Sequence, residues 1–423
     1  MFRPLSRCIN SFIFFVLLFA CMLATPAQQE TATITGEVKD VSGALVPQAM
    51  ITVTNVGTNI SVNTETNDQG SYTVSSLRPG EYKITVEKSG FNKSLRSGVT
   101  LQVNQFARID ITLQAGQVSE TVEVVGGAPL LESETSSRGS VIDQKKIVDL
   151  PLNGRDYNQL ALLSPGVLPG TPRLASVNFK GVLNVNGNRT FNNVFLLDGV
   201  DNISYSNSFR GENVQLVQPS IEALQEFKIQ TNAYSAEFGR SSGAVVNATI
   251  KSGTNAIHGS LYEFLRNDVL DANNFFSNAL GAPKPVRKRN QFGVAIGGPI
   301  VKNKTFWFAD YEGLREREGV PRVRLVPTAA EKAGLFSSAV VDPFAANRPE
   351  FSRNAAGQWV IPASRWDPVG AAIVKLIPDP NVPGTTIFAS TPVTKTRQDQ
   401  FDVRIDHQFA ENVTLFGRYS VVD

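Results

Sequence analysis

Residues 400–409 constrain this chain more than any other stretch. Phe401, Val403, Ile405, His407 and Phe409 alternate without a break with Gln400, Asp402, Arg404, Asp406 and Gln408. A period of two puts these sets on opposite faces of one strand. Glu411 and Asn412 then turn the chain into a second alternating run, Val413, Leu415, Gly417 and Tyr419. Earlier, Ser260, Tyr262 and Phe264 oppose Leu261, Glu263 and Leu265, and Phe292, Val294 and Ile296 alternate with Gln291, Gly293 and Ala295. Strands with one lipid face and one lumen face are those that cross a bilayer as an antiparallel β-barrel. The connections alternate in length, with long loops near 267–290 and 315–399 and tight turns at 300–304 and 410–412, as barrel rims do. Within the longest loop, Thr328-Ala329-Ala330-Glu331 forms a capping box and Asp367-Pro368 opens a helix that ends before Pro378. Phe306, Trp307 and Phe308 suit an aromatic girdle at the membrane interface.

The N-terminus explains how such a chain leaves the cytoplasm. Arg3 and Arg7 precede an apolar run, Ser11 to Ala24, and Thr25-Pro26-Ala27 offers a small residue before a cut, so residues 1–27 read as a secretory signal peptide. The run is shorter than the ~20 residues of a spanning helix. Cys21 behind Ala20 offers a lipoprotein alternative that the bulky Phe19 fits poorly. Both cysteines, Cys8 and Cys21, lie in this segment, so the mature chain has no disulfide or thiol chemistry. The two histidines, His258 and His407, fit no zinc-ligand spacing, and no cofactor motif is present. Without Arg3 and Arg7, the 40 basic residues fall to 38 against 38 acidic ones, which leaves no field for nucleic acid.

Residues 31–115 read as short strands over 33–39, 49–55, 61–66, 72–75, 81–88 and 107–113, with alternating apolar residues such as Tyr82, Ile84 and Val86. The turns Asp40-Val41-Ser42-Gly43, Asn67-Asp68-Gln69-Gly70-Ser71-Tyr72 and Leu77-Arg78-Pro79-Gly80-Glu81-Tyr82 resemble those of the carboxypeptidase regulatory-like domain. The resemblance implies a transthyretin-like β-sandwich with a carbohydrate-binding-like fold and no catalysis. Sugar binding would need exposed rings, and only Tyr72, Tyr82, Phe91 and Phe106 are available.

The β-branched run Ser119 to Val125 reads either as an edge strand of that sandwich or as a segment that adds to a partner's sheet. Short elements follow. A helix is expected over Asp143 to Leu150 and another over Tyr157 to Leu163. Val182 to Asn186 and Val194 to Asp198 read as a hairpin around Gly187, with a corner at Asp198-Gly199. Pro219-Ser220 is expected to start a helix with Ile221, Leu224 and Phe227 on one face.

The segments Ile221 to Phe227, Tyr234-Ser235-Ala236-Glu237-Phe238-Gly239 and Gly243 to Gly253 resemble, in order, the plug of TonB-dependent receptors, and the upstream sandwich is similar to that of their Oar-like branch. The resemblance implies a mostly β chain in three parts after the signal: the sandwich (31–115), a TonB box with an α+β plug domain (119–253), and the first strands of an outer-membrane antiparallel β-barrel (258–423). About five or six strands are visible, whereas a plugged barrel of this family needs about 22, so the chain reads as an N-terminal part of a longer protein. It further implies a cell outer membrane location in contact with outer-membrane lipid, no enzyme activity and no cofactor. The uptake substrate is unidentified, be it glycan, siderophore or peptide. A TonB-type energy-transducing protein would pair with Glu120, Thr121, Val122, Glu123, Val124 and Val125. Arg189, Asp198 and Glu237 are plug positions that either bridge to the barrel wall or are ordinary turn polarity. Lys284, Arg287, Lys288 and Arg289 either meet an anionic ligand or lipopolysaccharide, or belong to a solvated loop. A second class of function is a surface or periplasmic carbohydrate-binding module anchored to the outer membrane. Gly239-Arg240-Ser241-Ser242-Gly243 matches the nucleophile-elbow pattern of hydrolases, but a strand pattern follows it where a helix is required.

Overall fold

The computed structural model describes the chain except residues 1–30, 119, 126–133, 171–182, 205–213, 240–241, 280–282 and 412. The signal peptide lies outside the described residues, as do Val182, Arg240 and Ser241. The chain divides into one compact unit, residues up to 262 with 293–312 and 399–423, and a second, residues 263–292 and 313–398.

Nine strands build the sandwich: β1 (Ala32–Asp40), β2 (Met50–Asn55), β3 (Ser61–Glu65), β4 (Ser71–Leu77), β5 (Gly80–Glu87), β6 (Lys93–Leu101), β7 (Phe106–Arg108), β8 (Ile111–Leu113) and β9 (Thr121–Val125). One sheet runs β4-β1-β7, with β8 also on β1, and the other runs β3-β2-β5-β6-β9. The alternation read in β1 and β5 has its physical counterpart, because Ile34, Val38, Ile84 and Val86 are sealed between the sheets. Two details depart from expectation. The run 107–113 breaks into β7 and β8, which pair in parallel with successive parts of β1. Strand β6 is absent from the sequence reading, since buried Ser94 and a left-handed Gly98 (φ 72°) interrupt its apolar period.

The next domain centres on a five-stranded sheet ordered β10-β17-β18-β13-β14. Its strands are β10 (Arg138–Asp143), β13 (Val194–Leu197), β14 (Val200–Asp201), β17 (Leu224–Asn232) and β18 (Val245–Ile250); β11 (Val167–Pro169) pairs with β12 (Leu183–Val185), and β15 (Ile203–Ser204) with β16 (Val214–Gln215). Helix α1 (Gln144–Asp149) starts where Asp143 accepts the Lys146 N–H, and a 3-10 helix spans Tyr157–Leu163. Two expectations fail here. The 182–198 hairpin does not form: β12 pairs with β11, and β13 runs parallel to β18. A 3-10 turn at Thr190–Asn192 redirects the chain between them. The helix expected from Ser220 is a single turn, with the Ala223 N–H donating to Ser220 Oγ, and then the chain enters β17. Leu224 and Phe227 match helical spacing only because β17 is buried on both faces, so its apolar residues need not alternate.

The wall strands are β19 (His258–Asn267), β20 (Arg287–Val301) and β21 (Thr305–Gly319), followed after an excursion by β26 (Val393–Ala410) and β27 (Val413–Val422). They hydrogen-bond in the order β19-β20-β21-β26-β27, an open antiparallel sheet. In the first unit the polar face of β26 is the buried one. Gln400, Asp402, Arg404 and Asp406 are sealed, whereas Phe401, Ile405 and Phe409 are 43%, 46% and 62% exposed. The aromatic girdle is corrected. Phe306 and Phe308 point inward and are buried, Phe308 against the core of the preceding domain, and Trp307 takes the opposite face. Three consecutive strand residues cannot share one face.

In the second unit, α2 (Phe275–Ala279) precedes two small hairpins. Strands β22 (Arg322–Leu325) and β25 (Ile387–Ser390) pair, as do β23 (Leu335–Phe336) and β24 (Trp359–Val360). The capping box forms at α3 (Ala329–Lys332), with Glu331 N donating to Thr328 Oγ1 and Thr328 N to Glu331 Oε2. Asp367 caps α4 (Pro368–Leu376).

Candidate functional site: the Asp198 corner against the open sheet

Leu197 pairs with Val200 across a two-residue turn, Asp198-Gly199, in which both residues have positive φ (50° and 75°). This Asp-Gly turn matches the twist of a hairpin, and glycine at its second position carries no steric penalty. The turn aims the Asp198 carboxylate at the wall. Oδ1 accepts the Ile250 N–H at 3.0 Å and Arg404 Nη1 at 2.8 Å, and Oδ2 lies 2.8 Å from Arg418 Nε. Arg404 and Arg418 are direct cross-strand partners on β26 and β27. Two like charges at that register repel, so the buried carboxylate between them holds the pair together.

The network continues along β26. Arg404 Nε lies 3.2 Å from Asp406 Oδ2, and its Nη1 also donates to the Ile250 carbonyl at 2.9 Å. Asp406 accepts Ser252 Oγ at 2.5 Å, and the Arg404 guanidinium stacks 4.5 Å from the Phe416 ring centre. Arg404 is held through both Nε and Nη1, whereas Arg418 Nε meets Asp198 Oδ2 as an ion pair without hydrogen-bond geometry; such pairing is what makes buried charges tolerable. A second set of contacts lies on β21. Ser220 Oγ donates to Asp310 at 2.7 Å, while Arg155 pairs with Glu222 at 2.8 Å and approaches Glu312 at 3.8 Å. Tyr262 donates to Glu312 at 2.9 Å, with Arg155 4.7 Å above its ring.

Of the three expected plug positions, Asp198 meets the wall. Arg189 and Glu237 lie in exposed turns. The wall partners were legible only as a polar face, and nothing in the sequence tied Arg404 and Arg418 to Asp198, since 206 residues separate the first pair. Thr121–Val125 form β9, parallel to β6 from Lys93↔Thr121 to Ser97↔Val125, and the Glu120 carbonyl accepts the Lys93 N–H at 2.9 Å. β9 is the last strand of its sheet, so its outer edge faces no other strand among the described residues. The sandwich aromatics do not assemble a sugar platform. Tyr72 and Tyr82 are buried, donating to the carbonyls of Ile109 (2.7 Å) and Arg78 (2.8 Å).

In the second unit, Arg266, Lys284, Arg287 and Glu318 line a cleft of about 670 Å³ with Phe276 and Val323. Its charges are mostly answered locally: Lys284 donates to the Asp271 carbonyl at 3.1 Å, Arg266 lies 3.5 Å from Asp271, and Arg287 lies 3.8 Å from Glu318. Strand β18 follows Ser242 where a nucleophile elbow needs a helix, and His407 shares a 2.8 Å hydrogen bond with Thr305.

Residues 33–114 match the carboxypeptidase regulatory-like domain, and residues 249–423 the outer membrane beta barrel domain. The chain is 29% identical over 314 residues to the TonB-dependent transporter Oar of Myxococcus xanthus, covering 70% of this chain and 28% of that protein. It thus spans little more than a quarter of the curated relative it matches. Among solved structures, the siderophore receptor PirA from Acinetobacter baumannii aligns over 67% of this chain and 31% of its own, at 16% identity and a TM-score of 0.39. The outer membrane transporter YddB from Escherichia coli aligns over 65% and 31%, at 13% identity and a TM-score of 0.38. A carboxypeptidase regulatory-like match is thus followed along the chain by an outer membrane beta barrel match, and the sequence is similar to the TonB-dependent transporter Oar.

Proposed function

We propose that this chain supplies the sandwich, the plug and the first wall strands of an outer-membrane transporter that takes up its substrate through a plugged β-barrel. The observation that carries this reading is the inverted burial of β26. A soluble strand hides Phe401, Ile405 and Phe409; here they are exposed while Asp402, Arg404 and Asp406 are sealed against the neighbouring domain. Exposed apolar residues over a buried polar face suit hydrocarbon outside and a packed lumen inside. No helix of the described residues is long and apolar enough to cross a membrane, so strands would do the crossing. Transport force would come from a TonB-type energy-transducing protein that adds a strand at Glu120–Val125, for which the outer edge of β9 offers main-chain groups. The substrate is a glycan, siderophore or peptide bound from the loop side.

Outer-membrane fractionation of the full-length protein, combined with gel migration before and after heating, tests this. Carbonate-resistant membrane retention with heat-modifiable migration is expected. Soluble protein whose migration ignores heating sinks the reading.

A further inference from the structure

Six contacts tie the sandwich to the plug and wall, and none is required by the transport reading. Arg78, on the turn between β4 and β5, places Nη1 2.7 Å from Asp406 Oδ1. Asp406 is the carboxylate that already holds Ser252 of the plug's exit and Arg404 of the wall. At the same end of the sandwich, the Val103 N–H donates to Glu226, and Lys228 Nζ donates to the Asn104 carbonyl at 3.0 Å; both acceptor and donor lie on β17, an inner strand of the plug sheet. Where the plug runs into the wall, Asn255 binds Gly57 and Thr58 (N to the Gly57 carbonyl 3.0 Å, Nδ2 to the Thr58 carbonyl 2.8 Å). Asn63 reaches Glu411 of the tight turn after β26 at 3.3 Å.

These contacts are spread over three loops and strand β3 of the sandwich and fall on the plug, on the wall and on the junction between them. An independently tethered accessory domain would need none of them. We propose that the sandwich is a latch on the closed plug: Arg78 completes the charge chain Arg78–Asp406–Arg404–Asp198–Arg418, and the plug leaves the wall only after the sandwich has undocked. Arg78 is then a positioning residue for plug release. Asp406 faces two cations, so taking Arg78 away leaves Arg404 as its remaining counter-ion and loosens the end of β26 that holds Asp198. This inference rests on the plugged-barrel reading and adds to it a domain that moves before the plug does.

The geometry supplies its own test. A Cβ built on Gly57 lies 3.7 Å from Thr254 Cβ, close to the ~3.8 Å of a disulfide, and Gly57 is not in the left-handed region. In the full-length protein, Gly57→Cys with Thr254→Cys is expected to cross-link during export, as read by mass mapping of the linked peptides, and to slow hydrogen exchange in 224–232 and 245–250 until the link is reduced. Arg78→Ala is expected to speed exchange in those same strands by roughly tenfold, with Arg78→Lys restoring most of it. Membrane-retained protein that never cross-links overturns the latch. So does an Arg78→Ala effect confined to residues 71–87. Loss of heat-modifiable membrane retention in the unmodified protein sinks the barrel reading instead, so the two failures are told apart in one preparation.

Discussion

Arg404 and Arg418 stand directly opposite each other across β26 and β27, and the carboxylate that answers both comes from a different domain, at Asp198. Asp198→Asn therefore leaves two facing guanidiniums in a sealed site. Breaking one partner of a buried ion pair costs about 3–5 kcal/mol. The urea midpoint of the detergent-solubilised protein should fall accordingly, and the plug should become protease-sensitive first. A midpoint equal to that of the unmodified protein would show that the pair is answered some other way.

The two faces of β26 should respond oppositely to charge. Ile405→Arg puts a cation on the exposed apolar face and is expected to weaken membrane assembly by about 2–4 kcal/mol if the position lies near the bilayer midplane. Gln408→Lys, on the opposite face, should assemble normally. Heat-modifiable migration of the two variants checks this, and equal assembly would contradict a lipid-facing Ile405.

Gly253 passes so close to the wall that an added Cβ would meet the carbonyl oxygens of Gly298 and Trp307, each at 2.4 Å. Both are backbone atoms and cannot swing aside. Gly253→Ala is expected to cost about 1–3 kcal/mol, as overpacking does, and to loosen the plug's exit more than its sheet. Exchange at Ser252 and Asn255 is the readout; unchanged rates there would show that the junction has slack.

Glu226 sets a pH dependence at the contact between the sandwich and the plug. Burial pushes its carboxyl up to about 7, opposed by the Val103 amide and Lys228 and reinforced by Asp143. A folded pKa above the ordinary 4.5 means that stability is fully present below about pH 4.5 and is lost as pH rises through 7. The loss amounts to about 3 kcal/mol at most. Glu226→Gln should flatten urea midpoints measured between about pH 4.5 and pH 8. A slope that survives the substitution assigns the effect to another group.

Local chemistry made much of the fold readable. The alternation at 400–409, the Asp-Gly corner at 198–199, the capping box at Thr328 and the sandwich turns each act over a few residues, where sequence spacing and spatial spacing coincide. What stayed hidden depends on distant neighbours. β17 has helical spacing because sheet burial on both faces erases the period of two, and β13 pairs in parallel with β18 because of a turn at 190–192 that leaves no hairpin signal. At the candidate site, Asp198 was visible as a polar corner and Arg404 as part of a polar face. Their meeting depends on how the plug seats, which no short motif encodes.

The parallel pairing of β13 with β18 also orders events in time. β13 cannot complete its ladder until β18 has emerged, and β10 waits for β17 in the same way, whereas the sandwich closes over 32–125 with every partner already made. Long loops must close before such pairings are rewarded. A chain that emerges from its N-terminus thus delivers a finished sandwich first and an incomplete sheet of β10, β13, β14, β17 and β18 second. Asp198 lacks its arginines until β26 and β27 follow, so the last strands described here are the ones that end the plug's vulnerability to proteases and aggregation.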